Sequence, residues 1–188
     1  MKEYVWSNSD YNLDLRHVLS LNDRIRKQYG NQVKDYTNTK TIFNNNDRPG
    51  IMLSSAVKKY SDFFGVICGN QNILFTNNDS IYETAISLFN KGIKINAIVD
   101  IREDVNSAIV NKAKKIGIKI YNEYTIVDTK GYRRIEKVSI MKLSKDGQSV
   151  IGSKIELPCD CLSVSGGWTP AVHLFTQSGG KLKYRDND

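Results

Sequence analysis

Residues 73–89, ILFTNNDSIYETAISLF, decide the fold class, because a polar turn joins a short apolar run to an amphipathic pattern. Residues 73–75 are apolar and predict a buried strand. Ser80 and Glu83 have the spacing of a capping box, which predicts that a helix begins directly after the turn. The apolar residues of that helix share one face at helical spacing: Ile81, Ala85, Leu88 and Phe89.

The alternation of strand and helix continues to residue 121. Gly92 is predicted to end the first helix, and IKINAIVD (93–100) is a second strand that closes on Asp100. A second helix is predicted over 103–116, stopped by Gly117, and IKIY (118–121) is a third strand. A β-α-β-α-β order with short connections is typical of a parallel, doubly wound sheet. The predicted fold class is therefore α/β with a Rossmann-like sheet.

The segments around this unit have other patterns. The first forty residues are polar, with a short helix predicted near 15–27. NNNDRPG (44–50) consists of residues that favour turns. Residues 51–65 have helical spacing up to Gly65. RRIEKVSIMKL (133–143) and SVIGSKIEL (149–157) predict an antiparallel hairpin that turns at Asp146-Gly147.

The last thirty residues predict a strand, a short helix and a further strand. CDCLSVSGG (159–167) is apolar enough for the centre of a sheet. In WTPAVHLFTQSGG (168–180), Thr169 can cap a helix, Pro170 suits its first turn and Gly179 can end it. KLKYRDND (181–188) has the pattern of a strand.

Composition indicates a soluble globular protein. Of 188 residues, 40% are hydrophobic and 25% are charged, and no apolar run reaches the roughly 18 residues of a membrane span. The N-terminus lacks the apolar core of a signal peptide, and three cysteines make no disulfide framework, so a cytoplasmic location is expected. The net charge of +7 is dispersed, which favours an acidic partner subunit or an anionic cofactor over nucleic acid.

The turn at 76–79, Thr-Asn-Asn-Asp, stands where dinucleotide-binding proteins carry a glycine-rich phosphate loop. Asn77 and Asn78 can donate hydrogen bonds, but the carboxylate of Asp79 would repel a phosphate. Asp100 has the position of the acid that binds a ribose hydroxyl. The alternative, which we favour, is that Asp79 or Ser80 caps the helix and Asp100 only ends a strand.

A second candidate site is SVSGGWTPAVHLFT (163–176), in which an apolar strand runs through Gly166-Gly167 into a predicted helix start. Two glycines permit a close backbone approach, and the free N–H groups of a helix start favour an anion or the polar part of a cofactor. Trp168 can shield or stack against such a ligand. A tight packing corner with Trp168 in the core is an equal alternative.

The remaining reactive residue types predict no catalytic residue and no metal site. Cys159 and Cys161 are expected on one face of a strand as small buried residues, since with Cys68 they supply too few ligands for structural zinc. His17 and His173 are the only histidines, and neither belongs to a nucleophile–base pattern.

Three stretches carry a resemblance to a known family: NNNDRPGIMLSSAV (44–57), FTNNDSIYETAISLFNKGI (75–93) and CDCLSVSGGWTPAVHLFTQSGGKLKY (159–184). In order and spacing they resemble the alpha subunit of heterotetrameric sarcosine oxidase. The resemblance implies a smaller nucleotide-binding-type domain inserted into an outer FAD/NAD-type domain. On this mapping residues 1–71 and 159–188 belong to a partial outer domain, and residues 72–158 form the inserted domain.

The resemblance also implies cofactors, partners and site residues. The family's alpha subunit binds NAD, and its beta subunit carries the flavin that oxidises sarcosine, so other sarcosine-oxidase-type subunits are the expected partners. The tetramer uses oxygen and tetrahydrofolate and forms glycine, a methylene-folate and hydrogen peroxide. The positions expected to contact NAD are Gly167, Trp168, Thr169, Leu174 and Thr176, with Asn77 and Asn78 as secondary candidates.

The chain departs from the family pattern in three ways, since the G-x-G-x-x-G loop, an ATGA-type stretch before residue 44 and the folate-binding region are absent from it. We therefore expect a fragment or shortened form that is inactive when isolated. An alternative of another class is a non-enzymatic α/β scaffold or subunit-docking module. A stand-alone NAD-dependent reductase ranks last, because no hydride- or proton-transfer partner is visible.

Overall fold

The computed structural model describes residues 3–7, 36–38, 43–103, 105–147, 149–170, 177, 179 and 181–185, with only the backbone course of 3–7, 36–38, 168–170 and 181–185. The chain forms two compact units. One comprises Asn38–Gly167, and the other comprises Met1–Thr37 with Trp168–Asp188. None of the helices in the described ranges is long and apolar enough to cross a membrane.

The unit Asn38–Gly167 contains a five-stranded parallel sheet. In spatial order its strands are β3 (Ile51–Leu53), β10 (Cys161–Ser165), β4 (Asn72–Thr76), β5 (Ile95–Asp100) and β6 (Ile120–Asn122). Strands β4 and β10 are buried along their whole length, which agrees with their unbroken runs of small and apolar residues. The predicted β-α-β-α-β order and the central position of residues 161–165 are thus confirmed.

Three helices connect these strands: α1 (Ser54–Phe64), α2 (Ser80–Asn90) and α3 (Ala108–Lys115). All three end where glycine was predicted to end them. Gly65 has φ +62° at the end of α1, Gly92 has φ +77° just after α2 and Gly117 has φ +84° just after α3, all in the left-handed region that glycine enters without strain. The backbone N–H of Ile93 donates to Leu88 O at 3.1 Å, which closes the last turn of α2.

A three-stranded antiparallel sheet follows, made of β7 (Tyr124–Lys130), β8 (Lys137–Leu143) and β9 (Val150–Pro158). The predicted hairpin is β8–β9, and Gly147 in its connection has φ +68°. Strand β7 was not predicted from sequence, because its alternation is weak and only two of its seven residues are buried. The predicted β8–β9 hairpin is therefore part of a three-stranded antiparallel meander, β7–β8–β9.

The two sheets and the helices form three layers. Alternate residues of the parallel sheet, such as Ile73 and Leu162, pack against Val138 and Ile140 of the antiparallel sheet. The opposite face packs against α2 and α3 through Leu74 and Ile98, and against α1 through Cys161. A doubly wound sheet has helices on both faces, whereas here the antiparallel sheet takes the second face.

The structure corrects the bounds of two predicted helices. Residues 51–53 were predicted as helix but form β3, because a short apolar run beside a helix has no periodicity of its own. Helix α3 begins at Ala108, not 103, because the hydroxyl of Ser107 accepts from the backbone N–H of Val110 and caps it. The helix predicted near 15–27 lies outside the described residues.

The second unit is described through strand pairing. Strand β1 (Glu3–Ser7) pairs antiparallel with β12 (Lys181–Arg185), which confirms the strand predicted at the end of the chain. Strand β2 (Tyr36–Asn38) pairs with β11 (Trp168–Pro170). The domain boundary at residue 158 stays a prediction, and the compact unit Asn38–Gly167 includes strands from both sides of it.

Candidate functional site

The carboxyl ends of β10, β4 and β5 lie side by side, since Ser165 pairs with Thr76 and Thr76 pairs with Asp100. After β4 the chain crosses through α2 to β5 on one side, whereas β10 returns on the other side. In open α/β sheets, ligands bind at the point where strand connections diverge in this way. The turn after β4 is therefore the place to look for a nucleotide site.

The turn holds its shape through side-chain hydrogen bonds instead of glycine. The hydroxyl of Thr76 donates to the backbone oxygen of Asn78 at 2.8 Å and accepts from its N–H at 2.9 Å. Oδ1 of Asn78 then accepts from the N–H of Ser80 at 3.1 Å and from its hydroxyl at 2.6 Å. Thr76 and Asn78 thus do locally what glycine does in the usual loop by conformational freedom.

The residues predicted to cap α2, Asp79 or Ser80, are not the ones that cap it. Asp79 has the N-cap position, but its backbone is already helical and its side chain accepts no capping bond. The side-chain oxygen that accepts from the first N–H of the helix, that of Ser80, belongs to Asn78, one residue earlier than Asp79. Asparagine is as good an acceptor at a helix start as the residues that were predicted.

The turn is also tied to the end of β10. Nδ2 of Asn78 donates to the backbone oxygen of Ser165 at 3.3 Å and to its hydroxyl at 3.2 Å. Nδ2 of Asn77 donates to Gly166 O at 3.0 Å. Asn78 is buried, with 8% of its surface exposed. The amide groups that could have bound a phosphate are therefore engaged by the protein itself.

Asp100, the candidate ribose ligand, is fully buried in a hydrogen-bonded cluster at the same edge. Tyr82 Oη donates to Oδ2 of Asp100 at 2.8 Å. Arg102 donates from its backbone N–H and from Nε to Oδ1, each at 3.0 Å, and from Nη2 to Oδ2 at 2.7 Å. The other arm of Arg102, Nη1, lies 2.8 Å from Oδ1 of Asp79. This geometry favours the alternative in which Asp100 has a structural role.

The electrostatics of this cluster follow from burial and ion pairing. Burial raises the pKa of Tyr82, and the adjacent Asp100 carboxylate raises it further. The hydrogen bond to Asp100 raises the pKa of Arg102 against the effect of burial. Burial alone would raise the pKa of Asp79, but hydrogen bonds from Ser107 and Arg102 lower it. The lowered pKa of Asp79 keeps its carboxylate ionised beside Arg102, and the raised pKa of Tyr82 keeps its hydroxyl protonated as a donor to Asp100.

Sequence reasoning missed Tyr82 and Arg102 as partners of Asp100. A signal for Arg102 was present, since an arginine two residues after a strand-ending aspartate can fold back onto it. Tyr82 lies on the inner face of α2, and only the tertiary packing brings its hydroxyl to β5.

The return segment has a different local structure from the one predicted. Gly167 has φ +122°, which a side chain would strain, and Trp168–Pro170 form β11. A helix that Thr169 caps and Pro170 opens is therefore wrong, because these residues are extended and pair with β2. Proline tolerates this position because its fixed φ also suits an extended edge. Leu174 and Thr176, like His173, lie outside the described residues.

The cysteines are confirmed as small buried residues without a disulfide. Cys159 and Cys161 are buried and Cys68 is half-buried. Cys159 packs against the antiparallel sheet, whereas Cys161 packs against α1. The prediction that both side chains lie on one face of a strand is therefore wrong, because Cys159 precedes β10 and is not part of that strand. Burial raises the pKa of each thiol, to about 12 for Cys159 and about 12 for Cys161. Within the described ranges, no three acidic, histidine or cysteine side chains group to hold a metal.

No protein-family model matches the chain. Solved structures support the fold: thioredoxin reductase from T. acidophilum aligns with a TM-score of 0.57 and 14% identity, covering 78% of this chain and 46% of that one. FprA from Mycobacterium tuberculosis, in complex with NADPH, aligns with a TM-score of 0.53 and 11% identity over 71% of this chain and 48% of that one. At these identities the likeness shows a shared fold.

Curated relatives are closer in sequence. The alpha subunit of sarcosine oxidase from Corynebacterium sp. (strain P-1) is 36% identical over 143 residues, which are 75% of this chain and 14% of that subunit. The alpha subunit from strain U-96 is 34% identical over 143 residues, 76% of this chain and 15% of that subunit. The one from Rhizobium meliloti (strain 1021) is 31% identical over 141 residues. The chain thus spans about one seventh of the length of these relatives, and over three quarters of its own length it is similar to sarcosine oxidase alpha subunits.

Proposed function

We propose that this chain is a segment of a sarcosine-oxidase-type alpha subunit that contributes part of an NAD site and no catalytic residue. The observation that carries the proposal is the identity of 31–36% to three such subunits. The relatives are named as subunits, which supports an assembly with other sarcosine-oxidase-type chains. We place the assembly in the cytoplasm.

The closed turn at 76–80 supports assigning the NAD contacts to the return segment. At the carboxyl edge of the sheet, the donors of Asn77 and Asn78 are bonded to Ser165 and Gly166, and no glycine opens the turn. A pyrophosphate there would have to replace these bonds, which costs about 1 kcal/mol or more for each. The proposed contacts are those that the resemblance implies in the return segment, Gly167, Trp168, Thr169, Leu174 and Thr176, and Asn77 and Asn78 rank below them.

The proposed reaction takes place on a flavin outside this chain. In the assembly, sarcosine, oxygen and tetrahydrofolate would give glycine, methylene-tetrahydrofolate and hydrogen peroxide. The described residues agree with a non-catalytic role. Asp100 and Tyr82 are bonded to each other, and the thiols of Cys159 and Cys161 are buried and protonated.

Calorimetric titration of the purified chain with NAD, NADH and FAD tests the cofactor assignment. We expect micromolar binding of NAD that Thr169→Ala and Thr176→Ala weaken at least tenfold. Ser153→Ala, a matched loss of one hydroxyl on the exposed strand β9, should leave the affinity within twofold. Equal affinity in all variants would contradict the assigned contacts.

A second candidate function, a non-enzymatic scaffold or docking module, is favoured by the same closed turn. A sheet edge that satisfies its own donors needs no ligand to be stable. The scaffold predicts no heat with any of the three nucleotides, so the same titration separates the two functions.

A further inference from the structure

Five large apolar side chains are exposed along the end of α1 and the residues that follow it. Between 44% and 64% of their surface is accessible to solvent, and we call them the α1-end patch: Tyr60, Phe63, Phe64, Val66 and Ile67. Phe63 and Phe64 are the most exposed, each at 64%. Single exposed apolar residues are ordinary, whereas a cluster of aromatic residues at one place marks an interaction surface.

The helix geometry explains why these residues face outward together. Helix α1 buries Ser54, Val57 and Ser61, which lie on one stripe against the sheet. Tyr60 and Phe64 lie one turn apart on another stripe, and their ring centroids are 5.9 Å apart. The left-handed Gly65 turns the chain back, so that the N–H of Val66 donates to Tyr60 O at 3.1 Å and Val66 follows directly on the last turn of α1.

Contacts with the end of α2 hold the end of α1 in place. Asp62 accepts from the hydroxyl of Ser87 at 3.3 Å and forms an ion pair with Lys91, which follows α2 directly. Phe89 is also exposed, but it lies two residues from each of these, so helix geometry directs it to another side of α2 and it is not part of the patch. The patch therefore lies at the end of α1 within the unit Asn38–Gly167.

The rim of the patch is basic. Lys58, Lys59 and Lys91 lie beside it, and its one acidic neighbour on these helix ends, Asp62, is already paired with Lys58 at 3.2 Å and with Lys91. Exposed Lys59 is next to Tyr60 and four residues before Phe63, so its ammonium group borders the aromatic side chains. An interface formed by two copies of this patch would bring these lysines together, which is unfavourable.

We infer that the α1-end patch docks another protein whose contact surface has an apolar centre and carboxylates at its rim. The inference rests on the proposed function, because it names the surface through which this chain would meet the other subunits. An aromatic centre within a charged rim is the composition of protein interfaces whose core carries most of the binding energy. The chain spans about 15% of the length of a relative that is itself named as a subunit. Such an assembly therefore contains much protein outside this span that could contact the patch.

The test measures binding of the whole chain to separately purified sarcosine-oxidase-type subunits from the same organism by biolayer interferometry. We expect Phe63→Ser/Phe64→Ser to weaken binding at least tenfold, because it removes the most exposed aromatic pair. Tyr132→Ser is the matched control, since Tyr132 is 88% exposed in the connection between β7 and β8. It should bind as the wild-type chain does.

Charge reversal tests the acidic rim of the partner. Lys59→Glu should weaken binding about fivefold at low salt and reduce the dependence of affinity on salt, since screening acts on exposed charge pairs. Lys145→Glu, the same reversal at the exposed β8–β9 turn, is its control and should change neither quantity. Equal urea midpoints of variants and wild type exclude misfolding as the cause of weaker binding.

Four outcomes would overturn the inference. Unchanged binding by the double serine variant would show that the patch is not the docking surface, and absence of any complex with the wild-type chain would show that these subunits are not its partner. Self-association in sedimentation that the double variant abolishes would identify a second copy as the occupant. Binding to phosphatidylserine vesicles that the double variant abolishes would identify a membrane surface. The NAD titration is independent of these results. It therefore shows whether the docking inference or the NAD assignment has failed.

Discussion

Asp100 receives hydrogen bonds from Tyr82 on one side and from the side chain and backbone of Arg102 on the other. A buried carboxylate is stable only when its charge is compensated in this way. Arg102 extends the cluster to Asp79 and so joins the end of β5 to the start of α2. These residues fix the carboxyl edge of the sheet.

Two substitutions in this cluster should differ in cost. Asp100→Asn removes the buried charge that Arg102 faces and should lower the free energy of unfolding by about 2–4 kcal/mol, since Arg102 is partly solvated. Tyr82→Phe removes one hydrogen bond and should cost about 1 kcal/mol at pH 7. Urea denaturation gives both values. Equal losses of unfolding free energy in the two variants would contradict the ion pair as the main contribution of Asp100 to stability.

The raised pKa of Tyr82 predicts alkaline sensitivity. In the unfolded chain tyrosine loses its proton near pH 10, whereas in the folded chain Tyr82 keeps it to higher pH. The unfolded state therefore binds fewer protons above about pH 10, and stability falls there by up to about 1.4 kcal/mol per pH unit from this group. Tyr82→Phe should flatten the slope by that amount in urea denaturation between pH 10 and 11. An unchanged slope would contradict the shift.

The three cysteines should react at different rates. Cys159 and Cys161 have buried thiols with a pKa of about 12 each, whereas Cys68 is half-buried with a less raised pKa. Because the thiolate is the reactive form, iodoacetamide at pH 8 should first label Cys68, and all three after denaturation. Peptide mass spectrometry identifies the labelled residue. Early labelling of Cys161 would show that β10 is accessible from solvent.

At the scale of elements, periodicity predicted β4, α2, β5 and β6 because each has a strong pattern and a short connection. The strand β3 escaped prediction because three apolar residues directly before a helix share its composition. The strand at 168–170 was predicted as a helix start because Thr-Pro suits that position locally, whereas pairing with β2 is a tertiary effect. Local signals thus fixed the parallel core, and long-range pairing decided the rest.

The connection between β7 and β8 gives a prediction at this scale. Gly131 has φ +151°, and a Cβ built there would lie 1.9 Å from Arg134 O. Gly131→Ala should therefore cost roughly 3 kcal/mol or more, because the backbone of the turn must move. Gly147→Ala is the control, since Gly147 has φ +68° but open space around its Cβ position, and it should cost about 1 kcal/mol. Equal urea midpoints would contradict steric closure at Gly131.

At the scale of the whole molecule, the sequence located the candidate site but could not reveal that it is closed. Asn77 and Asn78 were predicted as possible ligand donors from their place in a strand–turn–helix unit. Their actual acceptors, Ser165 and Gly166, are nearly ninety positions away in sequence, so only the insertion of β10 beside β4 brings them together. A pattern read along the chain holds no information on that contact.

The proposed division of labour gives the prediction for the whole chain. Purified alone, it should form no hydrogen peroxide from sarcosine and oxygen, because it supplies no flavin site and no free catalytic group in the proposal. A complete sarcosine-oxidase-type assembly supplied with tetrahydrofolate is the positive control. A peroxidase-coupled assay measures the product. Sarcosine-dependent peroxide from the chain alone would contradict the proposal.

Strand β10 separates β3 from β4, although it follows both of them in the sequence by about ninety residues or more. In the finished sheet the earlier two strands therefore lie about 10 Å apart, twice the spacing of neighbouring strands. Their native hydrogen bonds across that gap cannot form until residues 161–165 have been synthesised. A nascent chain that stops before this point lacks the native partner of the facing edges of β3 and β4, and unpaired strand edges promote aggregation.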